Sequence, residues 1–405
     1  MINLNKFFSK IRLVKINDFK HLFIFPLALF LSFFKKKSNQ KLILICEDGV
    51  EARDNGYWLY KYIVENDSEA HVKFVISRSS SDYNKISKLG ISHVEFGTLE
   101  HWVNYLSAGV NVSTHKGGKP NAAICYFFEV FGIWHNKRIF LQHGITISEA
   151  EWLYFTNTRM RGFICGAEPE YKAVLDTYGY PEGHVKYLGF PRFDQLHQLT
   201  VNKKRILVMP SWRSWLVLNT TERKLFLEDH EFKTSEYFKC WSNFLTNKKL
   251  VEFLETNELE LIFYPHRNIQ EKLHMFQTYS NNIILASWKE YDIQELLKSS
   301  VLLITDYSSV CMDFGYMKKA SLYYQFDQEK FRIGQYKKGY FDYDEDGFGE
   351  VYTTEEEIIE GIINSYRDDF ELDSKYKNRI ESFFTLYDTQ NSHRNYQFIK
   401  EVLND

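Results

Sequence analysis

The sequence predicts an α/β protein made of two doubly wound, mainly parallel sheets. Three observations carry that expectation. Short β-branched and aliphatic runs alternate with helix-compatible stretches along most of the chain, the rhythm of strands buried on both faces of a parallel sheet. The rhythm breaks near 198–204 and then restarts, dividing the 405 residues into two domains of ordinary size. Histidine, arginine, serine and aspartate gather just after the strand-like runs, where open parallel sheets bind ligands.

Composition narrows the classes. Fifty basic residues against fifty-three acidic ones leave a net charge of −3, so the chain is no general nucleic-acid binder, and any phosphate recognition has to be local. The five cysteines, Cys46, Cys125, Cys165, Cys240 and Cys311, are scattered without a CxxC pair or ligand-like spacing. They read as reduced, mostly buried thiols rather than a zinc site. No GxxxxGK[ST] loop is present, which argues against an ATPase or kinase.

In chain order, residues 1–40 form a basic and apolar segment. Lys6, Lys10, Arg12, Lys15, Lys20 and Lys35–Lys37 face a single acid, Asp18, and enclose the run LFIFPLALFLSFF, Leu22 to Phe34. Thirteen apolar residues containing Pro26 are short for a bilayer span, and the run ends in aromatics and lysines rather than in small residues suited to cleavage. Two readings stand open: a segment lying in a membrane interface with its lysines on anionic headgroups, or a hydrophobic helix packed on the protein's own body.

From 41 to 200 the strand-like runs are 41–49, 72–80, 93–98, 109–118, 138–144, 162–167 and 185–194, each passing into a polar turn. They define the first expected domain. The second, 201–385, carries 205–213, 259–268, 282–287, 301–309 and 320–327, and residues 386–405 read as a C-terminal helix.

The strand ends hold the candidate chemistry. RIFLQHG places His143 and Gly144 after an apolar strand, where an imidazole near neutral pH can accept a proton and glycine permits close approach to a ligand. Read alone, His143 fits a structural histidine bonded to a neighbouring carbonyl better than a base. LGFPRFD presents Arg192 and Asp194, VMPSWR presents Arg213, and YPHRN presents His266 and Arg267; three Pro-punctuated strand ends carrying cations suit a diphosphate. VLLITDYSSVCMDF runs from strand to turn to helix. Ser308 and Ser309 fall near a helix start, and Asp313 lies about one turn further on. This stretch fits an anion site, and on its own it fits a simple helix cap as well. The acidic group Asp342, Asp344, Glu345 and Asp346 reads as a solvated loop, and no bound metal and no cofactor is expected.

QHGITIS, GFPRFD, MPSWR, the histidine of YPHRN, ITDYSSVCMDF with YYQFD, and FFTLYDTQNSHRNY follow one another in an order that resembles the CDP-glycerol glycerophosphotransferase family, makers of teichoic acids and related capsule polymers. The resemblance spans about Arg138 to Tyr396. It implies two Rossmann-like domains with an interdomain cleft, the glycosyltransferase B-type fold. It also implies peripheral attachment to the cytoplasmic face of a bacterial membrane, and transfer of an alditol phosphate from a CDP-alditol donor to a lipid-linked polymer acceptor. By motif, the family's active-site histidine maps onto His143, its second histidine onto His266, and its serine turn and acid onto Ser308, Ser309 and Asp313. The family's His-Gly-Thr-Pro is replaced by His143-Gly144-Ile145-Thr146, a departure on the acceptor side.

These readings assign His143, His266 and Arg213 to catalysis, as base and charge stabilisers. Ser308, Ser309, Asp313, Asp306 and Arg267 are assigned to the donor, and Gly144, Thr146, Arg192 and Asp194 to the acceptor. Glycerol or ribitol phosphate as the transferred group remain alternatives, as does a sugar-nucleotide glycosyltransferase of the same fold. A non-catalytic scaffold would leave the strand-end residues unexplained.

Overall fold

Strand β1 (Ile43–Cys46) is buried along its whole length, and its alternate residues serve different cores. Ile43 and Ile45 join Leu59, Tyr60 and Ile63 of the helix Asn55–Asn66, while Leu44 and Cys46 join Trp102 and Tyr105 of the helix Leu99–Ser107. A strand covered by helices on both faces must be apolar throughout, which is why the sequence shows a run there and not an alternation. This is a computed structural model that describes residues 18–90, 93–130, 136–219 and 224–405.

The chain divides into two units. The first comprises 1–145, 151–195 and 386–405; the second comprises 146–150 and 196–385. In the first, β1, β2 (Val72–Val75), β3 (His93–Val94), β4 (Val110–Ser113), β5 (Arg138–Phe140), β6 (Gly162–Cys165) and β7 (Val185–Tyr187) form one sheet, parallel throughout, in the order β3-β2-β1-β4-β5-β6-β7. The chain moves outward from β1 to β3, then crosses to β4, so the order reverses between β1 and β4.

The second unit repeats the plan. β8 (Asn202–Met209) is followed by a small antiparallel pair, β9 (Val217–Asn219) and β10 (Lys224–Phe226). Then β11 (Glu260–Phe263), β12 (Ile283–Leu285), β13 (Ser300–Thr305), β14 (Ala320–Tyr324) and β15 (Gly349–Tyr352) complete a parallel sheet with β8, in the order β12-β11-β8-β13-β14-β15. This is the doubly wound order, with its reversal between β8 and β13. The core on one face gathers Trp241, Phe244 and Leu245 against Ile206, Val208, Leu302 and Ile304. The sequence reading did not include β15, a short edge strand whose GEVY opens on glycine and glutamate and has no continuous aliphatic run.

The helix Asn391–Asn404 is no separate tail. Its Tyr396, Phe398, Ile399 and Val402 fill the first unit's core, and the Tyr396 hydroxyl donates to Asp67 at 2.7 Å. The boundary between units in this region falls after Gln195 rather than at 200.

The helix Phe19–Lys35 packs on the helix Leu99–Ser107 within the first unit: Trp102 donates its indole N–H to His21 at 2.9 Å, and Ala28 is buried. Its other side leaves Phe23, Phe30, Phe33 and Phe34 largely exposed. The packed side answers to the reading of a hydrophobic helix on the protein's own body. Its basic residues Lys6, Lys10, Arg12 and Lys15 lie outside the described residues. Among the described residues no helix is long and apolar enough to cross a membrane. None of the five cysteines is joined in a disulfide.

Candidate active site

The central strands of each sheet end level with one another. In the first unit Cys46 pairs with Ser113 and Ser113 with Phe140, so the chain leaves β1, β4 and β5 side by side at the reversal of strand order. Glu47, the next residue after β1, is fully buried and accepts hydrogen bonds from the backbone N–H of Arg53, Asp54 and Tyr57 at 3.1, 3.0 and 2.8 Å. It thereby ties the start of the helix Asn55–Asn66 to the sheet. Burial, reinforced by nearby Asp54, pushes its carboxyl pKa up, against those three donors.

Asn55 then clamps the segment that carries His143. Its side-chain amide donates to the carbonyls of Leu141 and Gln142 at 3.3 and 2.8 Å, and its carbonyl oxygen accepts from the Arg192 backbone N–H at 3.2 Å. Gln142 has φ of +58°, a left-handed conformation uncommon outside glycine. Its side chain holds that conformation in place by donating to the Ile164 carbonyl at 2.7 Å and to Glu170 at 3.0 Å. The twist turns the chain sharply out of the sheet just before His143.

His143 is exposed, and its ring lies parallel to that of His115, with centroids 4.6 Å apart and an interplanar angle of 7°. His115 Nδ1 is 2.9 Å from the hydroxyl of Thr114. The crowding of the surroundings, then the His115 imidazole, lower the His143 pKa to about 4; Asp54 and the Thr114 carbonyl act in the opposite direction, and Arg192 adds to the lowering. An exposed ring and a shift driven by burial pull against each other, so the direction is what bears on chemistry: His143 is neutral near pH 7 and able to accept a proton.

In the second unit Met209 pairs with Thr305, and Asp306 knits the two strand ends together. Fully buried, it accepts from Ser211 N–H at 2.8 Å, Tyr307 N–H at 2.6 Å and Arg213 Nη1 at 2.8 Å. Arg213, also fully buried, makes a two-point pair with Asp327. Burial opposes the charge on Arg213, but the Asp306 and Asp327 carboxylates overcome it and raise its pKa; burial raises Asp306 while Arg213 and the two N–H donors hold it down. With three donors on one carboxylate, the pair is ionised.

Beyond these struts the half-buried Ser308 and Ser309 open the helix Val310–Tyr316. Ser308 Oγ accepts weakly from Val310 N–H at 3.4 Å, and Ser309, at the N-cap, makes no side-chain cap bond. At the end of β11, His266 takes its backbone N–H to the Pro210 carbonyl at 3.0 Å, and its Nδ1 accepts from Asn268 N–H at 3.1 Å. In the neutral ring the proton therefore sits on Nε2, which makes that nitrogen a donor. Arg267 is exposed and lies over the Trp288 ring at 4.8 Å.

Several expected site residues take other roles. Arg213 has no exposed surface, so it positions the strand ends instead of touching a phosphate, and Asp306 does the same. Asp194 accepts from the backbone N–H groups of Asn391 and Ser392, at 2.9 and 2.8 Å, and from the Asn391 amide; it caps the C-terminal helix rather than meeting an acceptor. Arg192 is buried, paired with Asp54 at 2.8 Å and set over Phe190 and Phe193, so it acts on the His143 neighbourhood through its field. Asp313 is 7% exposed within the first turn of its helix. Gly144 is half-buried beside His143 in the first unit, whereas Thr146 groups with the second. Asp342 pairs with Lys338 at 2.7 Å and accepts from Asp344 N–H, and Asp346 accepts from Asp342 N–H, so the acidic loop closes on itself. Among the described residues no group of three or more His, Cys, Asp or Glu is placed to hold a metal ion.

The sequence reading missed Glu47, Asn55, Gln142 and His115. Only His115 carried a visible signal, a histidine ending the strand-like run 109–118 just before Gly117 and Gly118.

The chain is similar to known proteins over most of its length. The model of the CDP-glycerol:poly(glycerophosphate) glycerophosphotransferase family matches residues 27–401. The minor teichoic acid biosynthesis protein GgaB of Bacillus subtilis (strain 168) is 32% identical over 365 residues, 88% of this chain and 39% of that protein. A teichoic acid poly(glycerol phosphate) polymerase of Bacillus spizizenii is 30% identical over 213 residues, 46% of this chain and 47% of that one. The chain thus spans less than half the length of these two relatives. Among solved structures, the wall teichoic acid polymerase TagF in a variant soaked with CDPG aligns with TM-score 0.66 and 16% identity, covering 100% of this chain and 99% of that one, a likeness of fold. Both units are of the doubly wound kind found in glycosyltransferase B-type proteins, and the chain belongs to the CDP-glycerol:poly(glycerophosphate) glycerophosphotransferase family.

Proposed function

We propose that this chain transfers glycerol phosphate, or a related alditol phosphate, from a CDP-activated donor to a hydroxyl of a teichoic acid or similar polymer. Family membership supports the reaction class, and one observation carries the assignment: a neutral, exposed His143 held at the end of β5 by a clamped, left-handed Gln142. The acceptor oxygen attacks the β-phosphorus, its proton passes to His143, the bridging P–O bond breaks, and CMP leaves. Little covalent chemistry falls to the protein in such a transfer, so catalysis consists of positioning and charge stabilisation.

The donor is assigned to the second unit. Ser308 and Ser309 offer hydroxyls, and His266 offers its Nε2–H to the phosphate oxygens. Asp313 is assigned to the ribose. Arg213 and Asp306 hold the strand ends in register without meeting the donor. The acceptor is assigned to the first unit, at His143 and Gly144.

Attachment to a membrane surface is part of the same proposal. The exposed Phe23, Phe30, Phe33 and Phe34, with Lys35–Lys37 next to them, suit an anionic interface. Replacing these four phenylalanines with serine should abolish sedimentation with phosphatidylglycerol vesicles, and undiminished sedimentation would remove this part of the reading.

The deciding experiment for the reaction is CMP release measured over a panel of CDP-glycerol, CDP-ribitol and UDP-sugars. Turnover of a CDP-alditol alone supports the proposal. Turnover of a UDP-sugar with no CMP from either CDP-alditol would replace it with a glycosyltransferase.

A further inference from the structure

We propose that His115 is a positioning residue for His143, holding the reacting imidazole face to face so that its free edge meets the acceptor hydroxyl. The inference rests on the reading of His143 as the base.

The stack is built, not incidental. β4 and β5 are locked at their ends, where Leu141 N–H donates to the Ser113 carbonyl at 2.8 Å, which sets 114–115 beside 142–143. Thr114 is fully buried and serves both rings, with its hydroxyl 2.9 Å from His115 Nδ1 and its carbonyl as acceptor for the His143 imidazole. On the far side the loop is wedged against β1: a Cβ on Gly118 would lie 2.5 Å from the Glu47 carbonyl oxygen and 2.8 Å from that of Cys46. Only glycine lets the loop come so close, which seats 114–118 directly against the end of β1.

His115 is half-buried at the tip of a strand, where packing alone places no demand for an imidazole. A parallel ring at 4.6 Å does something a smaller residue cannot: it fixes the plane of His143. It also discourages a second positive charge, because two stacked imidazolium ions repel. The groups facing His143 are His115 and the Thr114 carbonyl from the β4 end, Asp54 from the start of the helix Asn55–Asn66, and Arg192 from the turn Pro191–Gln195. Of these, Asp54 is already paired with Arg192, which leaves His115 as the neighbour in ring contact.

The test uses the full chain labelled with ¹³C-histidine. His143 is titrated by NMR, assigned through His143→Ala, in the wild type, His115→Phe, which keeps a stacked ring without the charge, and His115→Ala, which removes both. His115→Gln serves where either variant fails to fold. The pH profile of CMP release from CDP-glycerol and the donor affinity are recorded alongside. The His143 midpoint is expected to rise in every variant. The plateau rate should fall by roughly tenfold to a hundredfold in His115→Ala and less in His115→Phe, with donor affinity unchanged. An unmoved midpoint together with wild-type plateau rates would overturn the inference. If His143→Ala itself retains activity, the base assignment fails instead, and the NMR titration still reports whether the two rings are coupled.

Discussion

Arg213 and Asp327 form a two-point ion pair, Nε to Oδ2 at 2.7 Å and Nη2 to Oδ1 at 3.0 Å, with neither side chain more than 2% exposed. The third arm of the guanidinium reaches Asp306 and the Ser211 hydroxyl, so one side chain binds the ends of β8, β13 and β14. Removing it leaves two buried carboxylates uncompensated. Arg213→Ala should cost about 3–5 kcal/mol in urea denaturation, and Arg213→Lys should recover little, because an ammonium cannot reproduce the fork. A loss below about 1 kcal/mol would show that the cluster is not the strut described.

His101 makes acid stability a test of the first unit. It is fully buried in the helix Leu99–Ser107, its Nδ1 accepts from Gly97 N–H at 3.1 Å, and burial, followed by nearby His21, lowers its pKa to about 3. The folded state therefore resists a proton that the unfolded chain takes up near its ordinary value of 6.5. Its contribution is complete above 6.5 and is lost as pH falls toward 3. Denaturation midpoints measured from pH 7 to pH 4 should fall more steeply in the wild type than in His101→Gln, and equal slopes would contradict this.

The serine turn predicts a donor-binding loss. Ser308→Ala and Ser309→Ala should each weaken CDP-glycerol by about two- to thirtyfold, and Asp313→Ala by up to about a hundredfold, as loss of neutral and charged hydrogen bonds implies. Calorimetric titration checks this; unchanged affinity in all three would move the donor away from β13.

The fold was legible because strands covered on both faces are continuous apolar runs: ILIC and VLLIT declare themselves. β15 was not, since a four-residue edge strand that opens on glycine and glutamate carries no such run. His143, His266 and the serine turn could be found because each interrupts an apolar run at a strand end. What could not be read was direction. Arg213 and Asp194 sit in motifs as conspicuous as that of His143, yet one turns into the core and the other toward Asn391, and only tertiary pairing decides between a contact with ligand and a contact with protein. Asn55 and Glu47 were silent for the opposite reason: their work is done on backbone groups, 86 or more residues away for Asn55 and six to ten residues away for Glu47.

The central claim is that His143 takes the acceptor's proton and does not hold the donor. Single-turnover CMP release and equilibrium donor binding, measured together for the wild type and His143→Ala, test it most directly. The account predicts a transfer rate lower by about 10²- to 10⁴-fold with donor affinity unchanged. A His143→Ala protein that transfers within a few fold of the wild type, or that loses donor affinity in step with rate, would contradict it.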